Sequence, residues 1–284
     1  MARIGIIGGS GLYQLEGIKG VKEVSVSTPF GKPSDKYIVG KFEGEELVFL
    51  PRHGKGHRIS PSEINCRANI FGFKKLGVER IISISACGSL KEEFKPMDFV
   101  IPDQFIDRTT KRPATFFGNG IVAHISFAEP VCPQLAQLLF EAGKMAGVNI
   151  HLGATYVNME GPQFSTKAES ELYRSWGAGI IGMTNMIEAK LSREAEICYA
   201  SLAAVTDYDC WHPGHESVTV EMVIQNLIKN VENSKRIIKE AVKTLPQERK
   251  CGCGESLKNA IITDKKMIPA KVKQDLKLLI GKYL

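Results

Sequence analysis

The stretch that most constrains how this chain can fold is Cys198-Tyr199-Ala200-Ser201-Leu202-Ala203-Ala204-Val205-Thr206-Asp207-Tyr208-Asp209. It starts as an uncharged run of small and apolar residues. It ends in two carboxylates one residue apart. An uncharged run of this length, following the helical-looking segment Glu188 to Glu196, reads as a strand buried on both faces, as in a sheet with parallel strands. Ligands of open α/β sheets collect beyond the carboxyl ends of the strands. Alone, the two acids read either as turn or cap residues or as acceptors for a ligand with donor groups.

The same pattern recurs along the chain. Arg3 to Ile7 is a short apolar strand running into Gly8-Gly9-Ser10-Gly11, where the backbone can turn its N–H groups into a nest for an anion. The turn has no Gly-Lys-Ser/Thr ending, so it is not an NTPase loop. Gln14 stands where a dinucleotide fingerprint needs its third glycine, which argues against a nicotinamide-dependent oxidoreductase. Val21 to Thr28 and Lys36 to Phe49 alternate as antiparallel strands do. Glu46 to Leu50 then leads into Pro51-Arg52-His53-Gly54-Lys55-Gly56-His57-Arg58, where a planar guanidinium and histidines between glycines suit a phosphate. Arg80 to Ser85 is a further buried strand, with small residues Ala86-Cys87-Gly88-Ser89 at its tip. Asn149 to Asn158 reads as one strand before Met159 to Ser165, and Gly179 to Gly182 as a brief strand before Met183-Thr184. His124, in an apolar context, reads by itself as a core histidine.

Helices are expected at Ser62 to Leu76, Cys132 to Ala146, Lys167 to Trp176, Glu188 to Glu196 and Ser217 to Thr244. Strands and helices therefore alternate, and the fold expected is α/β: a single domain with a central mixed sheet flanked by helices. The domain is expected over 1–246, with 247–284 as its C-terminal helical extension. No apolar run spans a bilayer and the start lacks a signal-peptide layout, so a soluble cytoplasmic protein is expected. The net charge of +6 comes with lysines after Lys229 that alternate with Ile, Leu and Val. That is a solvated helix face rather than a nucleic-acid surface. Seven cysteines are present. Cys251-Gly252-Cys253 lies in a polar, exposed-looking segment; one pair is too few for a zinc site, and disulfide content is left open.

Taken together, Gly5 to Gly11, Thr28 to Asp35, Arg52-His53-Gly54, Ala86 to Leu90, Asp103 to Thr109, Glu160 to Ser165 and Thr206 to Trp211 resemble, in order, the motifs of the trimeric purine nucleoside phosphorylase superfamily. The resemblance runs from Ile4 to about Leu227 and is strongest with the branch acting on 5′-methylthioadenosine. The Cys-Gly-Cys is similar to that of its thermophilic archaeal members. The resemblance implies phosphorolysis of methylthioadenosine to adenine and 5-methylthioribose 1-phosphate, with a broader activity on adenosine, inosine and guanosine as the alternative. It implies phosphate contacts at Ser10, Arg52, His53, Ser85, Ala86 and Thr184, a ribose contact at Met183, and a base site at Phe164 and Ser165. Asp207 would share a proton with purine N7, and Asp209 would accept from the exocyclic amine; Asp207, Arg52 and His53 are the implied catalytic residues. His57, His124, Val220 and Ile224 would form the pocket for the 5′ substituent, partly across a subunit interface of a trimer or a dimer of trimers. Phosphate is a co-substrate; no metal or organic cofactor is implied. Asn185-Met186-Ile187 departs from the Thr-Val-Pro common in relatives, and Ser10 replaces a common threonine.

Overall fold

Strand β5 (Arg80–Ser89) is the hub of the sheet. A computed structural model of the chain describes residues 3–9, 11–12, 15–214 and 220–284, the side chains of 220–223 excepted. The strands are β1 (Arg3–Gly8), β2 (Lys19–Val24), β3 (Tyr37–Phe42), β4 (Glu45–Pro51), β5, β6 (Phe99–Ile101), β7 (Gln104–Asp107), β8 (Ile150–Leu152), β9 (Thr155–Asn158), β10 (Ile180–Gly182) and β11 (Cys198–Asp207). The helices are α1 (Cys66–Lys75), α2 (Pro133–Met145), α3 (Lys167–Ser175), α4 (Asn185–Glu194), α5 (Val220–Lys243), α6 (Ala270–Asp275) and α7 (Lys277–Ile280). All strands join one mixed sheet, ordered β2-β3-β4-β1-β5-β10-β9-β7, with β11 paired to β5 and β6, and β8 to β6.

Every residue of β11 is buried, as its composition requires. It runs parallel to β5 over its length, with a register shift between Val205 and Asp207. On one face of the sheet, α2 and α5 pack through Leu135, Leu139, Ile237 and Ile238. On the other, α1 and α4 pack through Ile70, Phe73, Ile187 and Leu191, joined by Leu257, Leu276 and Leu279 of the C-terminal segment. The result is three layers, helix–sheet–helix.

Two expected strands divide. Lys36 to Phe49 is a hairpin, β3 and β4, because Glu43 and Gly44 take φ of 49° and 82°. Positive φ at both central residues is the two-residue turn that matches strand twist. Asn149 to Asn158 breaks at Gly153, whose φ is 88°. Its halves then serve different neighbours: β8 pairs with β6, and β9 with β7 and β10. Helix α4 starts at Asn185 rather than Glu188, with Thr184 as its N-cap residue. Of the long expected helix Ser217 to Thr244, residues 217–219 lie outside the described residues. Among the described residues no helix is long and apolar enough to cross a membrane.

All seven cysteines are free. The Cys251–Cys253 segment is not the exposed stretch its polarity suggests, because Cys253 is buried in the core beside α2.

Candidate active site

The strand tips open on one cavity of about 340 Å³, within the range of small-ligand sites. β1 contributes Gly9; the segment after β4 contributes Arg52, His53 and His57. β5 adds Ser85 to Gly88, the segment after β10 adds Met183 and Thr184, and β11 adds Thr206, Asp207 and, just beyond, Asp209. Parallel strands explain most of this convergence: β1, β4, β5 and β11 run the same way. β10 does not. It is antiparallel to the last residues of β5, pairing Ile180 with Ser89 and Ile181 with Gly88, and so returns Gly182 beside Ala86.

The basic corner is built from the inside. Arg52 is buried, and its Nε donates to Glu188 Oε1 at 2.5 Å. Nη2 donates to Ser83 Oγ at 2.7 Å and Glu188 Oε2 at 3.2 Å, and Nη1 to the Ile84 carbonyl at 2.9 Å. Burial alone would lower the guanidinium pKa; the Glu188 carboxylate outweighs it and raises it. Among the described residues Nη1 has one acceptor for its two N–H groups, so a donor remains for an anion. His53 Nδ1 sits 2.8 Å from the Ile59 carbonyl and must donate to it, which leaves Nε2 as the acceptor of a neutral ring. Burial, then the Arg52 charge, pushes the ring pKa down to about 4. Thr184 stands at the N-terminus of α4, where the helix dipole favours an anion. Asn185 is the family departure, and here it fixes that corner. Its Oδ1 accepts from Thr184 Oγ1 and Tyr156 Oη, while its Nδ2 donates to Ser201 Oγ.

The acidic corner is equally buried. Asp207 Oδ1 accepts from the Asp209 N–H at 2.8 Å, and Oδ2 from Thr206 Oγ1 at 2.6 Å. Burial raises the Asp207 carboxyl pKa, the Asp209 charge adds to this, and the two hydrogen bonds oppose it. Burial likewise raises Asp209, against hydrogen bonds that include Ser165 and Cys210. Gly88 allows the acids their place: a Cβ there would lie 3.0 Å from Asp207 Oδ1.

Of the residues singled out in the sequence, Arg52, His53, His57, Ser85, Ala86, Phe164, Met183, Thr184, Asp207 and Asp209 all line the cavity. Ser165 does not line it; its Oγ is 3.8 Å from Sδ of Met159, which does. His124 is exposed rather than in the core, and its N–H bonds the Ala260 carbonyl. Ile224 is exposed on α5; Leu227, Asn230, Val231 and Ser234 of that helix line the cavity. Ser10 and the Val220 side chain lie outside the described residues.

Two supports escaped the sequence reading. One is Glu188, buried on α4. The other is Arg112, whose Nε donates to Glu160 Oε1 at 3.1 Å and whose other nitrogens donate to the carbonyls of Glu160 and Met183. Burial would raise Glu160, but hydrogen bonds from Ser62, Thr110 and Arg112 outweigh it and bring its pKa to about 2. Arg112 thus ties the Met159–Glu160 turn to the end of β10.

A mixed α/β sheet with a cationic corner and a buried acid pair in one cavity suits a ligand with an anionic end and a donor-bearing end. The chain belongs to the phosphorylase superfamily, whose family model matches residues 3–243. It is 60% identical over 282 residues to the S-methyl-5′-thioadenosine phosphorylase of Koribacter versatilis, covering 99% of this chain and 97% of that one. It is 57% identical to the same-named protein of Geobacter sulfurreducens, covering 99% of each. The crystal structure of a methylthioadenosine phosphorylase from an antarctic soil metagenomic library superposes with a TM-score of 0.94 at 50% identity, covering 98% of both chains. The methylthioadenosine phosphorylase of Schistosoma mansoni in complex with adenine gives 0.83 at 36% identity, covering 99% of this chain and 98% of that one.

Proposed function

We propose that the chain catalyses phosphorolysis of 5′-methylthioadenosine, in which inorganic phosphate displaces adenine to give 5-methylthioribose 1-phosphate. The observation that carries this reading is the pairing, in one cavity, of the Arg52–His53 corner with the buried acids Asp207 and Asp209. The first suits an anionic nucleophile, the second a purine with donor groups.

In this reading phosphate rests on Arg52, the Thr184 end of α4 and Ser85-Ala86, with Ser10, outside the described residues, as a further contact. The neutral His53 accepts a phosphate O–H at Nε2, which orients a charged oxygen toward the sugar. Met183 packs on the ribose, and Phe164 and Ser165 bound the base. Cleavage passes through an oxocarbenium-like state while the purine leaves with negative charge. Asp207, kept protonated to higher pH by burial, shares its proton with N7 and neutralises that charge. Phosphate on the other side of the sugar stabilises the cation, so positioning and electrostatics supply much of the rate. Asp209 accepts from the exocyclic amine. The scheme uses phosphate as co-substrate and no organic cofactor.

His57 and Ile224 bound the 5′ substituent. His124, exposed in the single chain, would complete that pocket from a neighbouring copy in a homotrimer or a dimer of trimers. Residues 1–246 form the catalytic domain and 247–284 its extension. A second reading, use of adenosine as well, is favoured by the likeness to a mutant adenosine/methylthioadenosine phosphorylase from Schistosoma mansoni, 36% identical. Comparing kcat/KM for methylthioadenosine, adenosine, inosine and guanosine at saturating phosphate tests both: preference for the 6-aminopurines supports Asp209 as the base acceptor, and preference for inosine or guanosine contradicts it.

A further inference from the structure

The end of β11 away from the cavity carries a second cluster of chemistry. Cys198 is the first residue of β11, Cys132 is the N-cap residue of α2, and Cys251 and Cys253 flank Gly252 at the start of the C-terminal segment. The four Sγ atoms all lie within 4.8 Å of one another, and those of Cys198 and Cys251 are 3.3 Å apart. A zinc ion at about 2.3 Å from each of four sulfurs places them roughly 3.8 Å apart. The cluster therefore needs only small side-chain adjustments to close on such an ion. Cys132, Cys198 and Cys253 are buried and Cys251 half-buried, which is the closed environment of a structural site rather than the open one of a catalytic site.

The surroundings supply a second observation. Arg80 is buried and forms, with Cys132 and Cys198, part of the wall of a small cavity. Its Nη2 donates to the Pro246 carbonyl at 2.8 Å. Its Nη1 has no hydrogen-bond partner among the described residues, and its one ion-pair contact, Glu79 Oε2, is 3.9 Å away. Four thiolates on a divalent cation leave two negative charges. A buried guanidinium with an unused donor complements them, as outer partners of metal sites do.

We propose that Cys132, Cys198, Cys251 and Cys253 bind one zinc ion per chain as a tetrathiolate. Binding transfers the four thiol protons to solvent and forms four Zn–S bonds, with no change of oxidation state. Tetrahedral sulfur ligation also selects zinc over the harder divalent cations. The ion would clamp the C-terminal segment, through Cys251 and Cys253, to the sheet and to α2. It lies nine residues along β11 from Asp207, roughly 30 Å at strand rise, so its contribution is to stability and not to the reaction.

The test uses the full-length protein, purified with reductant. Metal analysis should find one zinc per chain. Exchange into cobalt(II) should give the thiolate-to-cobalt charge-transfer band and the intense visible bands of a tetrahedral site. A zinc chelator should lower the melting temperature while leaving kcat of the protein that stays folded unchanged. Cys251→Ser combined with Cys253→Ser should lose the metal and the chelator response together. Failure of the reduced wild-type protein to take up zinc or cobalt overturns the proposal, whether its mass shows free thiols or disulfide pairs. So does a double variant that holds the same metal. Because the cobalt spectrum is read on the wild-type protein, the test stands even if the variant does not fold.

Discussion

Arg52 and Glu188 meet as a buried ion pair, Nε to Oε1 at 2.5 Å and Nη2 to Oε2 at 3.2 Å, with Ser83 and Tyr199 also donating to the carboxylate. The pair sets the direction in which the guanidinium presents its remaining N–H. Removing one partner of such a pair strands a buried charge. Glu188→Ala should therefore cost about 3–5 kcal/mol of stability by urea unfolding. Glu188→Gln keeps the shape and loses the charge. It should raise KM for phosphate more than KM for the nucleoside.

Asp207 is the proton holder of the proposed reaction. Asp207→Asn should lower kcat about 10²–10⁴-fold, the usual worth of general acid catalysis, with little change in nucleoside KM. The pH profile gives a second readout. Burial raises the Asp207 carboxyl pKa, so the protonated form persists above the ordinary range and is lost as pH rises through the raised value. The wild-type rate should fall on that alkaline limb, and the limb should be missing from Asp207→Asn.

In the proposed reaction Asp209 sets substrate preference. A carboxylate accepts from a 6-amino group and repels a 6-oxo group. Asp209→Asn should lower kcat/KM for methylthioadenosine relative to inosine; an unchanged ratio would remove Asp209 from base recognition.

Glu194 ties the long loop after β7 to α4, accepting from Thr115 Oγ1 and the Phe116 N–H at 2.7 Å each. Burial raises its pKa from 4.5 to about 7. The folded state thus binds this proton more tightly than the unfolded chain does. Its contribution to stability is complete below pH 4.5 and declines as pH rises to about 7. Glu194→Gln should flatten the dependence of melting temperature on pH across that window.

Much of the fold could be read from residues in order, because burial leaves a local signature. The uncharged run from Cys198 and the small-residue tip at Ala86 announce β11 and β5, and ten of the named site residues do line one cavity. What escaped depends on partners far away in the chain. Glu188 looks like a polar helix residue until Arg52 is packed beneath it. β10 reaches the site by running antiparallel, which a three-residue strand cannot signal. The Asn149 to Asn158 run is apolar enough for one strand, and only the pairing of its halves with different strands reveals the break at Gly153. The cysteine cluster joins positions 132, 198, 251 and 253, a spacing without local pattern.

The proposed reaction turns on attack by phosphate on a methylthioadenosine held between Arg52 and Asp207. The most direct measurement is chromatography of the purified protein with methylthioadenosine, with and without inorganic phosphate. Adenine and 5-methylthioribose 1-phosphate should appear in equal amounts, and only with phosphate. Adenine released at the same rate without phosphate, with free 5-methylthioribose, would make the protein a hydrolase and contradict the account.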